Sequence, residues 1–387
     1  MDLTVLAIPG FFSSMAYEAR WLRRRADREG PSPVDYEWRD TVASLTMGTG
    51  SLVIPVLTAK LARDFALPGG RFAKRLLGVA AATAVVATGI DAYRRSRNTE
   101  AGRLPVGVKA VNPVPSNPVP SNPVEGNPVD GSPVPGSRVA GSPARVNPFA
   151  VTTLASAGVL ASSTWAAQTA ARRLFDKRLL PDLGTGPVAI GAAILGWDFI
   201  YYWNHRLQHE SRIMWAIHVV HHSSERYNLS TALRQPWAES LGMFVPYGTM
   251  SLLGIRPSVI ETARQVNLLY QYWIHTDAIR SIGSLEEVLN TPSHHRVHHG
   301  MDKKYLDRNH GSILIIWDRL FGTFQREEET PTYGLTKNIN TFNPLRIAAH
   351  EHWQILKDVG RSDNWRDRLS HVLRGPGWSA SRKAATI

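Results

Sequence analysis

The sequence predicts an all-α integral membrane protein, a bundle of four to six transmembrane helices with a cytosolic cap. Three observations carry that prediction. Uncharged apolar runs of helix length recur along the 387 residues. Ten of the 14 histidines fall between Asp198 and His299, at spacings that a helix turns to one side. A Pro-rich stretch over residues 112–148 divides an N-terminal set of runs from the histidine-bearing set.

Composition narrows the partners. Lys and Arg number 44 against 32 Asp and Glu, a net charge of +12. A basic balance suits nucleic acid or an anionic membrane surface. No nucleic-acid motif occurs and the Arg clusters adjoin apolar runs, so a membrane is expected and nucleic acid is not. The absence of Cys excludes disulfides, thiolate metal sites and a Cys nucleophile. Mean hydropathy is −0.19, which reads as soluble only because a polar linker and charged tails dilute the runs. No basic stretch precedes the first apolar residues, so no cleavable signal is expected.

The elements follow in order. Residues 3–17 are apolar but contain Pro9 and Gly10. At ~1.5 Å per residue they fall short of a ~30 Å hydrocarbon core and suit a tilted or interfacial anchor. Arg20, Arg23, Arg24 and Arg25 follow, fit to meet lipid phosphates. Residues 41–59 are 19 without charge and predict a membrane helix, with Gly48, Gly50 and Ser51 as a small face for close packing. A further run covers 76–90, and residues 1–97 together form an N-terminal anchor. Residues 98–148 are a linker holding degenerate pentads such as NPVPS and NPVEG, in which Pro blocks helix. Residues 149–340 form the core. A run at 146–171 lacks charge over 26 residues and ends at Arg172 and Arg173. Runs at 183–197, 240–255 and 265–276 complete the set. Residues 312–324 are amphipathic, 341–353 suit a soluble cap, and 341–387 form a basic C-terminal tail. Lys and Arg flank nearly every run, so charge does not set orientation.

The histidines form three boxes. DFIYYWNHRLQHE carries an HxxxH of His205 and His209. HVVHH supplies His218, His221 and His222, and HRVHH supplies His295, His298 and His299. His275 sits between them in YWIHTD, and His294 precedes the last box. On a helix, residues three or four apart share a face. HxxxH therefore aims two imidazoles at one point, and HxxHH aims its i,i+3 pair with a third beside it. Imidazole is a common ligand of Fe, Zn and Cu. Eight box nitrogens and a ninth from His275 exceed one tetrahedral ion, so a histidine-ligated dimetal site is the natural count. At ~100° per residue, unbroken helix would turn His218 about 220° from His205. A shared site requires the chain to turn between Glu210 and Trp215, near Ser211. Asp198 stands two turns before His205 on the same face and is a candidate to hydrogen-bond a ligand imidazole. His310, His350 and His352 lie outside the boxes and are assigned to surface or local structure. The competing reading is a set of surface histidines or a soluble zinc site.

The residues around the boxes are as informative as the histidines. WDFIYYWNHRLQHE, HVVHHSSERYNLSTALRQ, NLLYQYWIHT, NTPSHHRVHHG, LDRNHGSILIIWDRLFGTFQREEE and YGLT resemble the sterol desaturase / fatty-acid hydroxylase superfamily of membrane non-haem di-iron enzymes. They look most like its alkylglycerol monooxygenase-like branch, over residues 186–336. The resemblance implies two irons, O2, and hydroxylation of a C–H bond in a membrane lipid, at the ether carbon of an alkylglycerol in this branch. It implies an electron donor, either a tetrahydropterin or an electron-transfer protein. It also implies boxes facing the cytoplasm, here of a bacterial cell membrane. In that branch a glutamate directly after the second histidine matters, which makes Glu210 a candidate ligand or proton carrier rather than a helix-end carboxylate. Glu225, Asn228 and Arg234 are candidate partners of the ligands or of a lipid head, or structural groups. Trp317 and Asp318 are expected to pack and cap. Sterol desaturation and fatty-acid or carotenoid hydroxylation share the boxes and stand as alternatives, and a membrane zinc hydrolase is the alternative from another class.

Overall fold

The computed structural model describes residues 3–64, 171–238, 247–362 and 364–379. The expected spans at 76–90 and 146–170 and the pentad repeat lie outside the described residues. Ten α-helices carry the described chain: α1 Leu3–Glu29, α2 Trp38–Asp64, α3 Ala171–Asp176, α4 Pro187–Glu210, α5 Arg212–His222, α6 Pro257–Trp273, α7 Pro292–His298, α8 Ile316–Phe321, α9 Pro344–Arg361 and α10 Trp365–Leu373. The β pairing among the described residues is two isolated bridges, Leu289 with Leu314 and Gly300 with Tyr333. No helix of the described residues is long and apolar enough to cross a membrane. The all-α expectation is met, and the run at 265–276 lies largely within α6, whose helix also takes in Glu261 and Arg264.

The boundaries follow local chemistry. Pro opens α4, α6, α7 and α9, where its missing N–H costs nothing and its fixed φ suits the first turn. Gly322, left-handed at φ 75°, closes α8. Between α4 and α5 the helix breaks at Ser211, extended at φ −118° and ψ 123°. The break falls inside the interval that the box geometry demanded.

Helix α4 packs against α5 and α6, and α9 packs against α5 and α10. Ala189, Ala193 and Trp197 of α4 share a core with Val259, Ile260 and Ala263 of α6. Helix α1 adds Met15 against Leu229 and Tyr272, and Leu22 against Tyr227 and Tyr333. Helix α2 adds Ala43 and Met47 against Val220 of α5 and Ile347 of α9. Gly48 lies under the Leu233 backbone and Gly50 under the Trp237 ring, so a Cβ at either would clash. The small-residue face thus meets the loop after α5.

Buried polar groups tie the N-terminal helices to the box region. Glu18 of α1 accepts from the Tyr36 hydroxyl (2.6 Å), the Leu229 N–H (2.8 Å) and the Thr276 hydroxyl beside His275. Arg234, 1% exposed, pairs with Asp40 of α2 at 2.7 Å and donates to the Ser223 hydroxyl. Asn228 donates to the Val34 carbonyl. Arg234 and Asn228 therefore serve as structural ties, while Glu225 is exposed.

Candidate metal centre

The nine histidines converge into two buried groups. His205, His209, His218, His222 and His298 form the first; His221, His275, His295 and His299 form the second. Within each group the ligand atoms lie within 4.8 Å of one another. The groups adjoin: the His222 and His299 rings stack at 4.5 Å between centroids, and His222 lies 4.7 Å from His298.

Each HxxHH box is divided between the groups. His218 and His222, one turn apart on α5, enter the first group, while His221 enters the second. The third box mirrors this: His295 and His299 enter the second group and His298 the first. The expected i,i+3 pairing is therefore corrected to i,i+4. Residues four apart differ by about 40° on a helix and residues three apart by about 60° the other way. The i,i+4 pair aims at one point and the middle histidine at its neighbour. The HxxxH pair at the end of α4 completes the first group, and His275, just after α6, completes the second.

Hydrogen bonds fix several rings. His205 Nδ1–H donates to the His310 carbonyl at 2.8 Å, and His298 Nδ1–H donates to the Arg308 carbonyl at 2.8 Å. His209 Nδ1 meets Asp307 Oδ1 at 3.2 Å. His275 Nδ1–H donates to the Gln271 carbonyl at 2.6 Å. In a neutral imidazole the other nitrogen then carries a lone pair. Those lone pairs face more nitrogens: His205 Nε2 lies 2.9 Å from His218 Nε2, and His275 Nε2 lies 3.1 Å from His221 Nε2 and 2.9 Å from His295 Nε2. The Nε2 atoms of His209, His298 and His299 are buried with no hydrogen-bond partner. Burial pushes the imidazoles of His205, His218, His221, His222, His295, His298 and His299 well below their usual range, most of them helped by neighbouring histidines. Protonation thus cannot satisfy the converging acceptors, whereas a cation can. The donor set fits a metal in each group.

The other candidates fall elsewhere. Asp198 does not reach a ligand imidazole: it accepts from the N–H groups of Ile313 (2.7 Å) and Leu314 (3.2 Å) and from the Trp317 indole (2.8 Å). The segment 313–317 packs over that face of α4 and takes the carboxylate. Glu210 pairs with Arg206 at 2.8 Å, is half-exposed, and faces a cavity rather than a histidine group. Trp317 packs edge-on against Phe199, and Asp318 caps the N–H groups of His310 and Gly311 at 2.7 Å. His294 is buried beside Phe324, outside both groups. His310, expected at the surface or in local structure, is 1% exposed with its ring 4.9 Å from His209. Nothing in its spacing signals this, because its contribution to the site is a backbone carbonyl.

A cavity of about 1650 Å³ opens over the centre. His209, His222, His298 and His299 reach its floor, with Trp215, Leu306, Ile339, Trp353 and Trp378 among its walls and Lys337, Arg346, Lys357 and Arg374 among its lining cations. Helices α9 and α10 cover one side. Arg212, the first residue after the break, holds them: Nε donates to Glu351 at 2.7 Å, Nη2 to Asp358 at 2.8 Å, and its N–H to the Arg374 carbonyl at 2.9 Å.

Two adjoining all-imidazole groups on a helical frame, floored under a large part-apolar cavity, define a histidine-box dimetal type of protein. Residues 190–323 match the family model for fatty acid hydroxylase. The chain is 48% identical over 191 residues to alkylglycerol monooxygenase of Homo sapiens, covering 49% of this chain and 43% of the relative. It is 48% identical over 193 residues to alkylglycerol monooxygenase of Danio rerio, covering 49% and 42%. It is 31% identical over 139 residues to an ornithine lipid hydroxylase of Rhizobium tropici, covering 35% and 41%. The chain thus spans less than half the length of these relatives, and no solved structure matches it. Residues 190–323 are a fatty acid hydroxylase domain, and within that superfamily the chain stands with the alkylglycerol monooxygenase-like branch.

Proposed function

We propose that this chain is an O2-dependent lipid monooxygenase that holds one iron in each histidine group and hydroxylates the ether carbon of an alkylglycerol-type lipid. The observation that carries the reading is the convergence of unprotonated Nε2 atoms in two adjoining buried groups below a cavity with aromatic walls. Neutral imidazoles suit Fe(II) and leave positions open for a small molecule; bound iron supplies O2 activation and C–H cleavage. Overall, one oxygen atom enters the C–H bond and the other leaves as water, using two electrons and two protons from a tetrahydropterin or an electron-transfer protein. The resulting hemiacetal breaks down to a fatty aldehyde and a glycerol derivative.

The chain's own residues have distinct tasks in this reading. Trp215, Trp353 and Trp378 hold an alkyl chain and exclude water from the centre. Lys337, Arg346, Lys357 and Arg374 meet the polar head. Glu210, half-exposed at the cavity wall, carries protons between solvent and the interior. The protein works at a membrane: Val188, Ile190, Leu195 and Phe199 of α4 and Val5, Leu6 and Phe12 of α1 are exposed apolar side chains. The uncharged runs at 76–90 and 146–170 supply further anchoring, with the histidines toward the cytoplasm.

The test is turnover of an alkylglycerol by the purified, iron-loaded chain with a tetrahydropterin and isotopically labelled O2. A fatty aldehyde, trapped by reduction and carrying one labelled oxygen, is expected. Tightly held zinc with no O2 uptake under any reductant would transfer the site to hydrolytic chemistry.

A further inference from the structure

We propose that the segment Asp307–His310 is a positioning strap that presets the first histidine group, so that this group takes its metal more tightly than the second. The proposal rests on the metal reading above. Three of the five histidines in the first group are oriented by this one segment: His209 by the Asp307 carboxylate, His298 by the Arg308 carbonyl and His205 by the His310 carbonyl. Each contact takes the Nδ1 side of a ring and leaves Nε2 for the centre. Outer partners of this kind fix tautomer and ring direction, and losing one typically lowers metal affinity by about 10–100-fold.

The strap is held in a conformation that its sequence alone would not choose. Asp307 and Asn309 are left-handed, at φ 57° and 55°. Asp and Asn tolerate that region better than other side chains, but still at a cost. The surroundings enforce it. Asn309, fully buried, donates through Nδ2 to the His294 carbonyl (3.0 Å) and the Gln325 carbonyl (2.7 Å), and its Oδ1 accepts the Gln325 N–H (2.8 Å). The Asn309 N–H donates to the Thr323 carbonyl, and Asp318 accepts the next two N–H groups. Asn309 thereby fixes the two flanking carbonyls that receive His298 and His205. The second group has no counterpart to this segment among the described residues. There His275 donates to a carbonyl of its own helix, and His295 Nδ1 is buried without a partner.

The experiment is a Co(II) titration of the metal-free full chain, read by the visible absorption of bound cobalt. The wild type is expected to bind in two steps, the first tighter, with His295→Ala removing the second step only. Asp307→Gly keeps the left-handed backbone and deletes the acceptor of His209, so the first step should weaken about 10-fold or more while the second stays unchanged. Asp307→Asn, whose amide oxygen still accepts from Nδ1–H, should recover most of the loss, which a merely structural role would not predict. Asn309→Gly should act on the same step. Asp307→Gly leaving both steps unchanged, or weakening both equally, would overturn the strap. A folded wild type that binds no cobalt would overturn the metal reading itself and the strap with it.

Discussion

Arg296 sits between His295 and His298, is 0% exposed, and uses every N–H it has. Nε and Nη2 form a bidentate pair with Glu327 at 2.8 and 2.6 Å. Nη1 donates to the carbonyls of Thr276 (3.1 Å) and Ile279 (2.9 Å), and Nη2 also donates to Arg280 (2.9 Å). The guanidinium therefore clamps the third box to the loop after His275 and to the segment behind the strap. Lys offers three donors against five and cannot reproduce the bidentate fork. Arg296→Lys leaves at least two buried acceptors short, at ~1–3 kcal/mol each. The expected destabilisation is about 3–5 kcal/mol, a large share of a total near 5–15 kcal/mol. Chemical unfolding of the purified metal-free proteins measures it, with the urea slope checked for constancy. Metal retention at the second group should fall as well, because His275 and His295 lose their common anchor. A stability within about 1 kcal/mol of the wild type would refute the reasoning, since it would mean that the five contacts add nothing net.

Three further outcomes follow from the same geometry. Seven ligand imidazoles are pushed below their usual range by burial, so the metal-free fold binds fewer protons than the unfolded chain. The stability they contribute is complete above pH ~6.5 and is lost as pH falls from there, by up to ~1.4 kcal/mol per pH unit per histidine; a midpoint of unfolding that is flat between pH 8 and 5 would contradict the burial. Trp317→Phe removes one of the three donors to the buried Asp198 and should cost about 1–3 kcal/mol while leaving metal affinity unchanged, as measured by unfolding and metal titration in parallel. Glu210→Gln breaks only an i,i+4 pair with Arg206 and should change stability by under about 1 kcal/mol, so a large loss of turnover in this variant would mark a role in proton transfer and unchanged turnover would remove it from the reaction.

The candidate site was legible in the sequence where the information is periodic. Helical spacing named all nine histidines, and the angle between the first two boxes required a break that the chain makes at Ser211. The division of each HxxHH box was less legible, because residues three and four apart are near neighbours and only the position of a second centre separates them. Asp198 shows where spacing fails. It does share a face of α4 with His205, yet residues 313–317, more than a hundred positions away, supply its donors. The strap and His310 act through backbone carbonyls, which every residue has, so no residue type could announce them. The fold of the C-terminal region was half legible: the Asn343 side chain, which accepts from the N–H groups of Leu345 and Arg346, starts α9 as a helix cap should, but that α9 and α10 wall the cavity depends on Arg212 reaching Glu351 and Asp358. Apolar runs measured hydropathy rather than crossing. The described parts of those runs belong to helices that also carry polar residues, and none is apolar enough over its length to span.

Metal content of the purified chain, measured beside His218→Ala and His295→Ala, tests the central claim most directly. The two-group geometry predicts about two metal ions per wild-type chain, about one in each single variant, and none in the double variant. A wild type that holds no metal, or variants that keep the full complement, would contradict it.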